Sequence, residues 1–169
     1  RCLVFAELGA MYETIRDLKH LIKLAKEAGA DAVKIQTFTA ENLALPGSTF
    51  TLEDGRTISQ FDFFKQYEIS KEDHKTLFDF ARSINIPIFS TPSHYEDVDL
   101  LEALETPFYK IGSDDLTNTP FLEYIGKKNR PVILSTGMST LSEIEEAVTG
   151  IRRTGHDQIM IMQRSEEHT

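Results

Sequence analysis

Apolar residues fall into six short runs along this chain, and helical stripes separate the runs. The runs are "CLVFAEL" (2–8), "DAVKIQT" (31–37), "IPIFST" (86–91), "FYKIGS" (108–113), "PVILST" (131–136) and "QIMIM" (158–162). Each is too short for a helix and rich in β-branched or aromatic residues, which predicts strands. Their near-continuous apolarity suits parallel strands covered on both faces. On that reading residues 158–162 form a buried strand, and Cys2 is a small core residue at the start of the first. Between the runs, Ile15, Leu18, Leu21, Ile22 and Ala25 recur at helical spacing, with Gly29 as a stop signal. Leu77, Phe78, Ala81 and Ile84 repeat the stripe, as do Val98, Leu101 and Leu104. So do Leu141, Ile144, Ala147, Val148 and Ile151, where Ser139 or Thr140 can cap the helix.

The order is therefore strand, helix, strand, repeated through six strands. Residues 38–72 are too many for a plain βα loop, and within them "ISQFDFFKQYE" predicts a short helix packing Phe61, Phe64 and Tyr67. Long loops of this kind carry substrate contacts or a lid, or are plain surface excursions. Alternating strands and helices allow an open doubly wound sheet or an incomplete (β/α)8 barrel. Neither G-x-G-x-x-G nor G-x-x-x-x-G-K-[ST] follows any strand, which favours an α/β fold of parallel strands forming about six of the eight of a TIM barrel.

Charge and composition narrow the function. Lys plus Arg is 18 and Asp plus Glu is 27, a net charge of −9, which argues against a nucleic-acid surface. It leaves room for an anionic small molecule, because two lysines in a pocket bind phosphate whatever the net charge. A single cysteine, no long apolar run and no export signal fit a cytoplasmic protein that does not enter a membrane.

Ligands of parallel α/β folds sit at the C-terminal ends of the strands. Those ends carry Glu7; Lys34, Gln36 and Thr37; Ser90 and Thr91; Lys110, Ser113, Asp114 and Asp115; and Ser135 and Thr136. A lysine inside an apolar strand is expensive to bury without a partner. Lys34 and Gln36 share one face of their strand, opposite Val33 and Ile35, although alternation does not say which face meets the helices. One such lysine reads as an ion pair or a snorkelling stem, whereas two among several hydroxyls suit a phosphate or carboxylate ligand. His20 and His74 in helical stripes and His156 in a turn read as surface residues, and His94 as a solvated loop residue. No histidine or cysteine cluster has metal-ligand spacing.

"AELG" (6–9), "EAGADAVKIQTF" (27–38), "IPIFSTP" (86–92), "YKIGSDDLTNTP" (109–120) and "RPVILSTGM" (130–138) together resemble the sialic acid synthase family. That resemblance implies a transferase joining phosphoenolpyruvate to an N-acetylmannosamine-type sugar, giving a nine-carbon 2-keto acid and phosphate. Position by position it implies that Lys34, Thr91, Lys110 and Ser113 bind phosphoenolpyruvate, that Glu7 is catalytic, and that Gln36 and Asp115 contact the sugar. Many relatives have Glu at the place of Asp115, and many read Asn-His-x-Gly where this chain has "AMYETI" (10–15), so the sugar stays open. The resemblance further implies a divalent metal, manganese or magnesium, held by two histidines of later strands, and a homodimeric full-length protein. On this reading residues 1–163 are the N-terminal part of a synthase barrel, truncated at both ends and inactive alone. Residues 164–169, "RSEEHT", are also what AGATCGGAAGAGCACACG encodes, and read as an adapter-derived tail. A Schiff-base aldolase of a keto acid and a non-catalytic anion-binding barrel are the alternatives.

Overall fold

The computed structural model describes residues 2–10, 12–52 and 54–163. The chain divides into two compact units, one up to Ile88 and one from Phe89 onward. In the first unit β1 (Phe5–Glu7) precedes α1 (Ile15–Glu27), β2 (Ala32–Thr37) and α2 (Ala40–Leu43). The hairpin β3 (Thr49–Thr51) and β4 (Thr57–Ser59) follows, then α3 (Gln60–Tyr67) and α4 (Lys71–Ser83). β5 (Ile88–Pro92) crosses the boundary. The second unit continues with α5 (Tyr95–Ala103), β6 (Tyr109–Ile111) and α6 (Thr119–Gly126), then β7 (Val132–Ser135), α7 (Leu141–Arg152) and β8 (Ile159–Met162).

Within the first unit β1 and β2 pair in parallel, placing Glu7 opposite Lys34. Helix α1 begins at a capping box, in which Thr14 accepts from the Asp17 backbone while the Asp17 carboxylate accepts from the Thr14 N–H. It buries Leu18 and Ile22, and α4 buries Leu77, Phe78 and Ala81. Val33 and Ile35 are fully buried. Thr37, on their face, meets His74 of α4, so that face looks toward the helices and Lys34 and Gln36 look away.

The long segment after β2 is built rather than loose. The Asp54-Gly55 turn closes β3 on β4, with Gly55 at φ +81°, a conformation that glycine adopts without strain. Phe38, Phe50, Phe63, Phe64 and Tyr67 then meet edge to face at centroid separations of 5.1–5.7 Å. The expected helix is present, but Phe63 rather than Phe61 joins the ring contacts.

In the second unit β6, β7 and β8 pair in parallel, and Ser90 of β5 registers with Tyr109 of β6. Thr140, one of the two expected caps, closes a capping box with Glu143. Phe121, Leu122, Ile125, Leu134, Ala147 and Ile151 fill the core beneath these strands.

Several sequence expectations are corrected. β8 is not buried, since Met160 and Ile161 are half-exposed. The first strand is only three residues long, and Cys2 lies exposed before it rather than in the core. His74 is fully buried and His156 nearly so, against a surface reading for both. Helical or turn position alone does not report exposure: His74 exchanges water for Thr37 and the Ser70 carbonyl, whereas His156 bonds Asn129 through Nδ1 and buries an Nε2 without a partner among the described residues. The reading of residues 164–169 as a foreign tail lies outside the described residues.

Candidate functional site

In the first unit the site is assembled on the face of β1 and β2 that turns away from the helices. Glu7 Oε2 lies 2.7 Å from Lys34 Nζ, an ion pair set directly by strand register. The lysine side chain is only 12% exposed and the glutamate 52%, so the cation is sheltered while the carboxylate faces open space. The other carboxylate oxygen, Oε1, accepts the Gly9 N–H at 2.8 Å. Gln36, two residues beyond Lys34 on the same face, lies exposed and close against Gly9. Three sequence candidates, Glu7, Lys34 and Gln36, are thus brought together.

Behind them, on the helix side of β2, His74 Nδ1 bonds the Ser70 carbonyl at 2.9 Å. A carbonyl only accepts, so Nδ1 carries the proton and Nε2 accepts from the Thr37 hydroxyl, 2.9 Å away. Burial holds the imidazole below its usual range, which keeps it neutral. Helical spacing gave no sign of this contact.

The second unit carries the remaining candidates at matching positions. One step beyond the Ser90–Tyr109 register on each strand stand Thr91 and Lys110, both partly buried. Lys110 Nζ donates to the Ile111 carbonyl at 2.5 Å. Ser113 follows, almost fully buried, and Asp115 is half-buried beyond it. Burial raises the Asp115 carboxyl above the usual range, opposed by the Asn118 amide and reinforced by Asp114. Thr136 donates from both its N–H and its hydroxyl to the Met162 carbonyl, at 3.2 and 3.1 Å, so its polar groups tie β7 to β8.

Several ionisable groups escaped the sequence reading, Asp97 among them. Asp97 at the start of α5 accepts the Ser93 N–H, and burial pushes its carboxyl up to about 6. His94 stands at the N-cap position of that helix without a side-chain cap bond, partly exposed, and pairs with Glu96, in keeping with a loop histidine. Among the described residues no group of three or more His, Cys, Asp or Glu side chains stands together to hold a metal ion. Nor, among them, is any helix long and apolar enough to cross a membrane.

Residues 21–168 match the sequence profile of the NeuB family. The chain belongs to the NeuB family. It is 38% identical over 160 residues to an N,N'-diacetyllegionaminic acid synthase of Campylobacter jejuni, covering 92% of this chain and 48% of that protein. It is 31% identical over 166 residues to a pseudaminic acid synthase of Helicobacter pylori, covering 94% and 48% respectively. The solved N-acetylneuraminic acid synthetase of Leptospira borgpetersenii superposes with a TM-score of 0.83 at 25% identity, over 95% of this chain and 53% of that one. As in that NeuB relative, the fold is α/β with six parallel strands, part of a (β/α)8 barrel. This NeuB chain spans a little under half the length of the curated relatives it matches.

Proposed function

We propose that this chain, residues 1–163, supplies the phosphoenolpyruvate- and amino-sugar-binding part of a cytoplasmic, homodimeric sialic-acid-type synthase. The reaction joins the methylene carbon of phosphoenolpyruvate to the aldehyde carbon of an open-chain N-acetylated amino sugar. The new carbon–carbon bond takes its electrons from the enol double bond, and the aldehyde oxygen takes a proton to become a hydroxyl. Water adds to the resulting cation at the enol carbon and gives up a proton. The bond from that carbon to the phosphate oxygen then breaks as the new hydroxyl becomes the carbonyl and gives its proton to the departing phosphate, leaving a nine-carbon 2-keto acid and inorganic phosphate.

The observation that carries this reading is the Glu7–Lys34 pair beside Gln36, in a NeuB-family chain. Lys34, Thr91, Lys110 and Ser113 bind the phosphate and carboxylate of phosphoenolpyruvate through the charge changes. Glu7 handles the proton at the aldehyde oxygen or anchors a sugar hydroxyl, with Gln36 and Asp115 contacting the sugar. The family resemblance implies a divalent manganese or magnesium ion that would polarise the aldehyde. The described residues do not form a site for one, and no step above is assigned to it. Relatives acting on legionaminic- and pseudaminic-type products leave the sugar's substituents open.

Calorimetric titration with phosphoenolpyruvate tests the reading. Lys110→Ala should weaken binding at least tenfold, about 1.4 kcal/mol, while the fold is kept. Undiminished binding by that variant refutes the assignment. Borohydride with a keto acid should leave the protein mass unchanged, because no imine forms on this pathway.

A further inference from the structure

Gly9 stands where the functional side chains of the first unit press together. A Cβ built on it lies 2.8 Å from Gln36 Cδ, 3.0 Å from Gln36 Cγ and 2.8 Å from Glu7 Oε1. Separations under about 3 Å are not tolerated, so any side chain at this position forces something to shift. Its N–H already fixes the Glu7 carboxylate at 2.8 Å, and that carboxylate holds Lys34 at 2.7 Å. One residue without a side chain thus touches Gln36 and Glu7 and, through Glu7, acts on Lys34.

We propose that Gly9 is a positioning residue for sugar recognition, its bare Cα leaving the space in which the Gln36 amide and the Glu7 carboxylate are set. The identity of the atoms that would clash decides this against a purely structural role. The clashing atoms belong to the outer parts of two flexible side chains, one exposed and one half-exposed, and not to backbone or core. Core overpacking costs stability because its neighbours cannot move. These neighbours can move, so the cost of an added methyl falls on where Gln36 and Glu7 point and not on folding. Gly9 is outside the left-handed region that would itself exclude alanine.

The inference rests on the proposed function for the ligand, but its geometric part is read independently. In the full 169-residue chain, Glu7→Gln should shift the Gly9 amide resonance, because it replaces the carboxylate that accepts that N–H. Gly9→Ala should shift the Gln36 side-chain amide resonances, change Tm by no more than about 2 °C and weaken N-acetylmannosamine binding about tenfold. In a Gln36→Ala background the same substitution should lose at most about threefold more, because two of the three close approaches are gone. Unmoved Gln36 resonances overturn the proposal. So does a large fall in Tm, or an undiminished penalty for Gly9→Ala in the Gln36→Ala background. If Gly9→Ala moves the Gln36 amide while Gln36→Ala leaves sugar affinity intact, the positioning holds and the assigned ligand is wrong.

Discussion

Two carboxylate–cation pairs, one from each unit, are bonded in different ways. Glu7 and Lys34 meet through a single bond of 2.7 Å, and the carboxylate's other oxygen takes one backbone N–H. Glu102 and Arg130 share two, at 2.9 and 3.0 Å, in the planar fork that guanidinium offers a carboxylate. Arg130 also donates to the Thr106 carbonyl at 2.9 Å, and Tyr109 donates to the same Glu102 oxygen at 3.0 Å. The arginine holds the Glu102 carboxyl below its usual range, and burial followed by the Glu102 charge pushes the Tyr109 phenol well above its own. The second pair is locked by its neighbours. The first is an ammonium with one carboxylate partner among the described residues, and under the proposed function the ligand's anion takes that partner's place. The number of fixed bonds per charge, more than burial, distinguishes the two pairs, and the proposed function puts the ligand at the one with fewer.

Breaking the locked pair should have the largest effect. Arg130→Ala strands a carboxylate beside a buried phenol and leaves the Thr106 carbonyl without its guanidinium. The expected loss is about 2–3 kcal/mol, read as a lower urea midpoint at unchanged m-value. A loss under about 0.5 kcal/mol would put this pair in the same class as exposed ion pairs and erase the distinction.

A pH titration sharpens the contrast across the two faces of β2. On one face Lys34 is paired with Glu7; on the other His74 is neutral and accepts from Thr37. Burial lowers the folded pKa of His74 below the ordinary histidine value, with partial opposition from the Ser70 and Ile69 backbone and the Asp73 charge. Between the lowered and the ordinary value the unfolded chain binds a proton that the folded chain refuses. Stability from this group is therefore complete above about pH 6.5 and is lost as pH falls toward the lowered value. Asp97 slopes the other way: its folded value of about 6 lies above the unfolded value of 3.8, so its folded form loses stability as pH rises between them. Urea unfolding of His74→Gln, run beside Asp97→Asn across pH 4–8, should remove one slope each. A wild-type-like acid slope in His74→Gln would mean that another group carries it.

The strands were legible because covered parallel strands carry unbroken apolar runs, and the strand-end candidates followed from the rule that ligands meet C-terminal ends. Register could not be read from a single strand, so the pairing of Glu7 with Lys34, and the Ser90–Tyr109 register just before Thr91 and Lys110, emerged only in three dimensions. The Asp54-Gly55 hairpin did carry a local signal, a turn dipeptide between two alternating triplets, but the length of the segment hid it. His74 was misread for a deeper reason. Its burial depends on Thr37, 37 residues away, and a helical stripe says nothing about such a partner. Gly9 entered the sequence reading only as the last letter of "AELG", with no sign of its place, since the role proposed for it is the absence of atoms where two side chains from different strands meet.

The smallest expected effect tests the other half of the comparison. Glu7→Gln keeps the side chain's shape and its acceptor for the Gly9 N–H but removes the charge facing Lys34. With the carboxylate half-exposed and a single ion pair broken, unfolding should change by no more than about 0.5 kcal/mol. Phosphoenolpyruvate affinity should not fall, because Lys34 is released from the carboxylate that holds it in the free protein. A stability loss matching that of Arg130→Ala would make the Glu7–Lys34 pair a structural lock as well. Weakened phosphoenolpyruvate binding with stability intact would instead make the Glu7 charge part of how the ligand is held, and Lys34 would then bind its anion alongside Glu7 rather than in exchange for it.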